Sequence, residues 1–279
     1  MRFARLGESG REVPVLVQGD AYYDISTITG DIAGDFFRDE TRARIAAAAH
    51  AGELTRVDAH GARIGAPIAR PSAIICVGMN YAAHAAESGA EPPKNVVIFH
   101  KTPNTIAGPN DDVAIPRGSR KTDWEVELGV VIKSRASYIG DPADALSYVA
   151  GYVLANDLSE REWQLEISGG QWGKGKSAPG FSPIGPWLVT PDEVDISDLR
   201  LRSWVNGEPR QDSTTADMIF DVPYIVWHLS QFMVLEPGDL ILTGTPAGVA
   251  LSGRFPYVKS RDVVELAIDG LGTQRQVFL

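Results

Sequence analysis

The stretch Asp123-Trp124-Glu125-Val126-Glu127-Leu128-Gly129-Val130-Val131-Ile132 constrains this chain more than any other. Trp124, Val126, Leu128 and Val130 alternate with Glu125, Glu127 and Gly129, which is the period of a strand. Residues i and i+2 of a strand share a face, roughly 6.5–7 Å apart. Both carboxylates therefore point the same way, out of an element too apolar to be a wet surface ribbon. Two buried like charges at that spacing repel and are poorly solvated, so one takes a proton or a cation sits between them. A hard divalent cation meets both demands, since it prefers oxygen ligands and tolerates paired carboxylates. A half-exposed strand with its Glu face in water fits the same letters, so the rest of the chain has to decide.

Residues 1–70 read as a small leading unit. Val13–Val17 and Ala21–Ile25 flank Gln18-Gly19-Asp20 as a hairpin, and Thr41–His50 is an alanine-rich helix stopped by Gly52. Ala66-Pro67-Ile68-Ala69-Arg70-Pro71 is a plausible boundary, with 71–279 as the main domain. Short strands joined by Gly/Pro turns follow: Ala73–Val77, Val96–Phe99, the Glu125/Glu127 strand, Tyr148–Leu154, Trp187–Thr190, Leu199–Val205 and Leu240–Thr243. Asn80–Glu87 reads as a short helix with Asn80 able to cap it, and Asp221–Phe232 as an amphipathic helix carrying Val222, Ile225, Val226, Leu229 and Phe232. Many strands, few helices and no alternating βα pattern predict a β-rich sandwich or roll.

A net charge of −10 argues against a nucleic-acid partner or an anionic membrane surface. The single cysteine, Cys76, allows no intrachain disulfide and no CxxC site. The start lacks a signal-peptide core and no apolar run approaches ~18 residues, so the expectation is a soluble cytoplasmic protein.

Asp157 closes an apolar run about thirty residues after Glu127, placed to be a third ligand, though a turn or helix-cap aspartate fits equally. Three carboxylates without a Cys/His cluster favour Mg²⁺, Mn²⁺ or Ca²⁺ over zinc. His84 and Glu87, three apart on a helix, meet on one face and make a candidate water-activating pair, or an ordinary solvated pair. The remaining histidines, His50, His60, His100 and His228, have no such partner and read as structural. Lys176 lies in Lys174-Gly175-Lys176-Ser177, which lacks the spacing of a phosphate loop. It could face a developing oxyanion or simply lie on a surface loop. Thr243-Gly244-Thr245-Pro246-Ala247-Gly248 offers a hydroxyl and backbone N–H groups at a strand end.

Five segments occur in a family order: Gly78–Glu87, Asp123–Val131, Asn156–Arg161, Lys176-Ser177 with Pro183–Trp187, and Leu242–Val249. Together they resemble the fumarylacetoacetate hydrolase family from about Pro71 to the C-terminus. Leu158–Ser177 is similar to bacterial members acting on 2,4-diketo-3-deoxy sugar acids. The resemblance implies a mixed β-sandwich roll with a small N-terminal domain, usually homodimeric. It also implies Mg²⁺ or Mn²⁺ on Glu125, Glu127 and Asp157, with His84 and Glu87 activating water from a mobile lid. Lys176 would stabilise an enolate, and Arg161, Gln164 and Thr245 would contact substrate oxygens. The chain departs from the family at Phe99-His100-Lys101-Thr102, where Phe-Leu-Lys-Pro is common, and at Ala178–Ser182. Both departures fall where substrate is shaped.

The expected activity is metal-dependent hydrolysis of a C–C bond in an acylpyruvate or 2,4-diketo acid. An isomerase of 2-hydroxyhepta-2,4-diene-1,7-dioate or an oxaloacetate-type decarboxylase would use the same enolate chemistry. A non-catalytic β-sandwich with structural Ca²⁺ also explains the carboxylates, but it leaves His84, Glu87 and Lys176 without a task.

Overall fold

The computed structural model describes all 279 residues, Met1–Leu279. The alternating segment becomes the strand Val126–Ile132, every residue of it buried. It lies inside an eleven-stranded sheet whose order is Thr55–Val57, Ala21–Asp24, Val13–Gln18, Arg2–Leu6, Leu188–Val189, Val149–Asn156, Val126–Ile132, Leu240–Leu242, Ile74–Gly78 and Val97–Lys101. Ile64–Gly65 pairs with Arg2–Leu6 beside this path. The contact between Leu240–Leu242 and Ile74–Gly78 is parallel and the other pairings in this sheet are antiparallel. The strands of residues 1–70 thus continue the same sheet through the pairing of Arg2–Leu6 with Leu188–Val189.

A second sheet, ordered Glu208–Thr214, Arg200–Val205, Val263–Ile268 and Gly272–Val277, packs on one face of the first. Side-chain alternation explains how both faces are covered. Val126, Leu128, Val130 and Ile132 join Leu201, Val264, Leu266 and the helix residues Ile225 and Leu229 in one core of 33 buried residues. The opposite face sends Val131, Val153, Ala155, Leu240 and Leu242 into a core of 19 with Phe36, Phe37 and Ile45. With both faces dry, the charged side chains of the central strands Val126–Ile132 and Val149–Asn156 are confined to one end, and that is where the acidic residues lie. The β-rich α+β expectation agrees with this architecture.

Several local readings change. Asn80 does not cap the helix that follows: the helix is Ala82–Glu87, and Tyr81 precedes it without a side-chain cap bond. The Asn80 amide instead donates to the Phe220 and Thr243 carbonyls and accepts from the Phe220 N–H, tying three segments together. The helix near the C-terminal third is Val222–Ser230, its first turn capped by the Asp221 carboxylate at the Tyr224 N–H. Arg2–Leu6, Glu208–Thr214, Val263–Ile268 and Gly272–Val277 are strands that the pattern did not mark. The last three carry polar residues on a half-exposed face, which blurs the alternation signal.

Candidate active site

Glu125 precedes the first paired residue of Val126–Ile132, and Glu127 is its second. The neighbouring strand runs antiparallel with Val126 opposite Asn156 and Glu127 opposite Ala155. That register puts Asp157 directly across from Glu125, and the Asp157 N–H donates to the Glu125 carbonyl at 3.0 Å. Residues 125, 127 and 157 thus emerge on one side of the sheet at one end of two strands. A ligand oxygen from each lies within 4.8 Å of the others, and all three residues are buried.

Cations pack around this trio. Lys176 Nζ donates to Glu125 Oε2 at 2.6 Å and Asp157 Oδ2 at 2.7 Å. It arrives on the short helix Gly173–Lys176, which can approach because Gly175 has no side chain; a Cβ there would lie 2.4 Å from the Glu160 carbonyl oxygen. Arg161 pairs through Nε with Asp123 at 2.8 Å and through Nη2 with Glu125 at 2.6 Å, while Nη1 donates to Gln164 Oε1 at 2.9 Å. Lys101, at the end of its strand, reaches Asp157 Oδ1 and donates to the Phe181 carbonyl at 2.6 Å.

Burial resists the charge on Glu125, but Lys176 and Arg161 outweigh it and hold this carboxyl well below the usual range. Burial likewise opposes the Lys176 ammonium, and Asp157 and Glu125 reverse it, so its proton is held more tightly than usual. Glu127 differs. Burial, then the charges of Asp157 and Glu125, push its carboxyl well above the ordinary value. The Gly244 N–H, at 2.8 Å, and the more distant Lys176 offset only part of that. In this cluster four buried carboxylates (Asp123, Glu125, Glu127, Asp157) meet three buried cations (Lys101, Arg161, Lys176), while the two other buried carboxylates, Glu160 and Asp239, accept backbone N–H groups. The uncompensated carboxylate is the one whose oxygens join the two others. An all-oxygen donor set with unbalanced negative charge fits a hard divalent ion.

His84 and Glu87 stand on the helix Ala82–Glu87, with Nδ1 of His84 2.9 Å from Glu87 Oε1. Glu87 also accepts the Gly248 N–H at 3.0 Å. An acceptor carboxylate makes Nδ1 the protonated ring nitrogen and leaves Nε2 with its lone pair. His84, Glu87, Glu125, Glu127, Asp157, Arg161, Gln164, Lys176 and Thr245 all line one cavity of about 290 Å³. All nine residues singled out in the sequence therefore converge. Thr245 is already engaged: its hydroxyl donates to the Val126 carbonyl at 2.9 Å and accepts from Gln211 Nε2 at 2.7 Å.

Lys101, Asp123 and Gln211 were not assigned a role from the sequence. A lysine closing a strand that opens with Val97, Ile98 and Phe99 is the signal that could have marked Lys101, because a buried ammonium demands a carboxylate. Asp123 accepts the Ala250 and Leu251 N–H groups as well as Arg161, and so anchors the loop beside the cavity. Gln211 comes from a strand of the other sheet, and nothing local in its sequence points inward.

Comparison with known proteins agrees with the geometry. A family model described as fumarylacetoacetate (FAA) hydrolase C-terminal matches residues 73–279. A Burkholderia multivorans protein whose name goes no further than hydrolase is 48% identical over 282 residues, 99% of this chain and 98% of the relative. The crystal structure of 2-hydroxyhepta-2,4-diene-1,7-dioate isomerase from Mycobacterium marinum has a TM-score of 0.78 at 32% identity, covering 100% of this chain and 98% of that one. Maleylpyruvate hydrolase from Sphingobium sp. SYK-6, in complex with manganese(II) and pyruvate, has a TM-score of 0.81 at 29% identity, covering 100% and 99%. The matched span takes in both the carboxylate trio and the His84–Glu87 pair, and this chain belongs to the fumarylacetoacetate hydrolase family.

Proposed function

We propose that this protein is a divalent-metal-dependent hydrolase that cleaves a C–C bond in acylpyruvates, the simplest 2,4-diketo acids. The observation that carries this reading is one cavity shared by a carboxylate trio, an oriented histidine and a buried lysine. Glu125, Glu127 and Asp157 would hold Mg²⁺ or Mn²⁺, whose contribution is Lewis-acid polarisation of the substrate's carboxylate and 2-keto oxygens.

The protein's own groups supply the rest. His84, held through Nδ1 by Glu87, takes a proton from water at Nε2. The water oxygen bonds to the distal acyl carbon. The bond between that carbon and the pyruvyl methylene then breaks, and its electron pair passes into the enolate of pyruvate. The Lys176 ammonium faces the charge that grows there, in a water-poor site where a fixed cation counts most. The proton held by His84 returns to the methylene carbon, and a carboxylic acid and pyruvate leave. The Gln164 amide, its oxygen fixed by Arg161, would turn its N–H groups to the substrate, so Arg161 acts through Gln164 as a positioning residue. Thr245 would line the substrate's seat, its proton given to Val126 and a lone pair taken by Gln211.

The test is turnover of acylpyruvates by purified protein. Activity should vanish in excess chelator and return with Mg²⁺ or Mn²⁺; undiminished cleavage in chelator overturns the reading. Likeness to the Mycobacterium marinum isomerase favours a second reading, proton shifting in a diene-dioate with the same enolate stabilisation. That chemistry, like decarboxylation of oxaloacetate-like acids, needs no activated water, so His84→Ala separates hydrolysis from the other two. A sugar-acid substrate, suggested by Leu158–Ser177, is a narrower form of the hydrolase reading. A homodimer in the cytoplasm is part of the same proposal. No helix is long and apolar enough to cross a membrane.

A further inference from the structure

We infer that the acyl group this site accepts is neutral and apolar, preferably aromatic, rather than one ending in a second carboxylate. The inference rests on the acylpyruvate reading above and concerns the lining residues to which that reaction assigns no role.

The cavity's apolar lining includes Met79, Phe99, Leu165, Trp172 and Leu251. Trp172 packs its ring directly against Gly78, where any Cβ would stand 2.4 Å from a ring carbon. The Trp172 and Phe99 rings meet edge to face with centroids 5.6 Å apart. Phe99 in turn lies under Lys176, whose Nζ is 5.0 Å from its centroid. An aromatic wall thus begins where the enolate charge would sit and runs outward along the tail. Met79 completes it from a left-handed backbone conformation, φ 55°, which is uncommon for a non-glycine residue. The three hydrogen bonds of the adjacent Asn80 amide hold the backbone in that shape.

No cation is free to greet an anionic tail. Among the cavity-lining residues only Arg161 and Lys176 carry positive charge independent of pH, and both are committed. Arg161 serves Asp123, Glu125 and Gln164, and Lys176 serves Glu125 and Asp157. The acidic lining groups, Glu87 and the carboxylate trio, offer a second carboxylate no attraction. Desolvating a carboxylate against an apolar wall without a partner is costly, and a protein of net charge −10 disfavours a dianion at longer range. A polyol tail would likewise lose hydrogen bonds to water without replacing them. An aryl or branched alkyl tail gains area burial and aromatic contact instead.

The experiment compares benzoylpyruvate, acetylpyruvate and maleylpyruvate with the Mn²⁺-loaded enzyme, and also measures binding by calorimetry of 4-phenyl-2-oxobutanoate against 2-oxoglutarate. The expected kcat/KM for benzoylpyruvate exceeds that for maleylpyruvate at least about tenfold, and the aryl 2-oxo acid binds at least about tenfold tighter. Leu165→Arg, at a partly exposed position, should narrow or invert both ratios, and Trp172→Ala should raise KM for benzoylpyruvate more than for acetylpyruvate. Equal or better handling of the dicarboxylates overturns the inference while leaving the hydrolase reading standing. Tighter aryl binding without cleavage of any acylpyruvate does the reverse: it supports the tail preference and sinks the hydrolase reading.

Discussion

Asp157 donates its backbone N–H to the carbonyl of Glu125 at 3.0 Å, so two acidic residues about thirty positions apart are direct cross-strand neighbours. Their side chains share Lys176 between them, Glu125 through Oε2 and Asp157 through Oδ2. A ladder contact fixed by the packing of two fully buried strands therefore sets the spacing of the candidate ion site, and a flexible loop does not.

Glu127 carries the charge that the protein's cations leave unbalanced. Glu127→Gln should abolish Mn²⁺ binding in titration calorimetry and lower kcat/KM by at least about a thousandfold, if the ion supplies several kcal/mol of charge stabilisation. Without metal the same variant should be as stable as the parent or more so, by about 1–3 kcal/mol in urea unfolding, because folding no longer has to bury the Glu127 charge or bind a proton to neutralise it. A metal-free variant much less stable than the parent would contradict the charge count.

Lys101 is wholly buried against Asp157. Lys101→Met keeps much of the volume but removes one of that carboxylate's two cations. Metal-free protein should lose about 3–5 kcal/mol of unfolding free energy, the usual cost of orphaning one half of a buried pair. Lys101→Arg should not restore it, since the larger fork cannot occupy the same space beside the Leu158 and Phe181 carbonyls.

His84→Gln should reduce kcat for hydrolysis by about 10²–10⁴ with little change in KM, as expected for loss of a general base. Decarboxylation of oxaloacetate, if the protein performs it, should survive. Glu87→Gln keeps an acceptor for the Gly248 N–H yet weakens the hold on His84, so its loss in kcat should be smaller. Equal losses for hydrolysis and decarboxylation would place His84 in binding or folding instead.

Adding Mg²⁺ or Mn²⁺ should raise thermal stability in proportion to the logarithm of its concentration, by about 2.7 kcal/mol at a hundred times Kd. Asp157→Asn should flatten that response. A Ca²⁺ response with no accompanying catalysis by Mg²⁺ or Mn²⁺ would revive the structural-ion reading.

By itself the sequence determined the strand-rich class, the alternating strand with two carboxylates on one face, and the i, i+3 geometry of His84 and Glu87. Those features depend on local periodicity, which a linear string carries. Five ordered motifs added the family, and with it the grouping of Glu125, Glu127, Asp157 and Lys176. Only the tertiary structure decided that Asp157 stands opposite Glu125, since register between strands is set by packing of both sheet faces. It also decided that Lys101 ends inside the protein against Asp157, that Gln211 arrives from the second sheet to hold Thr245, and that Asn80 ties loops together where a helix cap was expected. The tail wall of Met79, Phe99 and Trp172 belongs to the same category: its members come from three separate segments, and no period or spacing links residues whose contact exists only once the chain has closed around them.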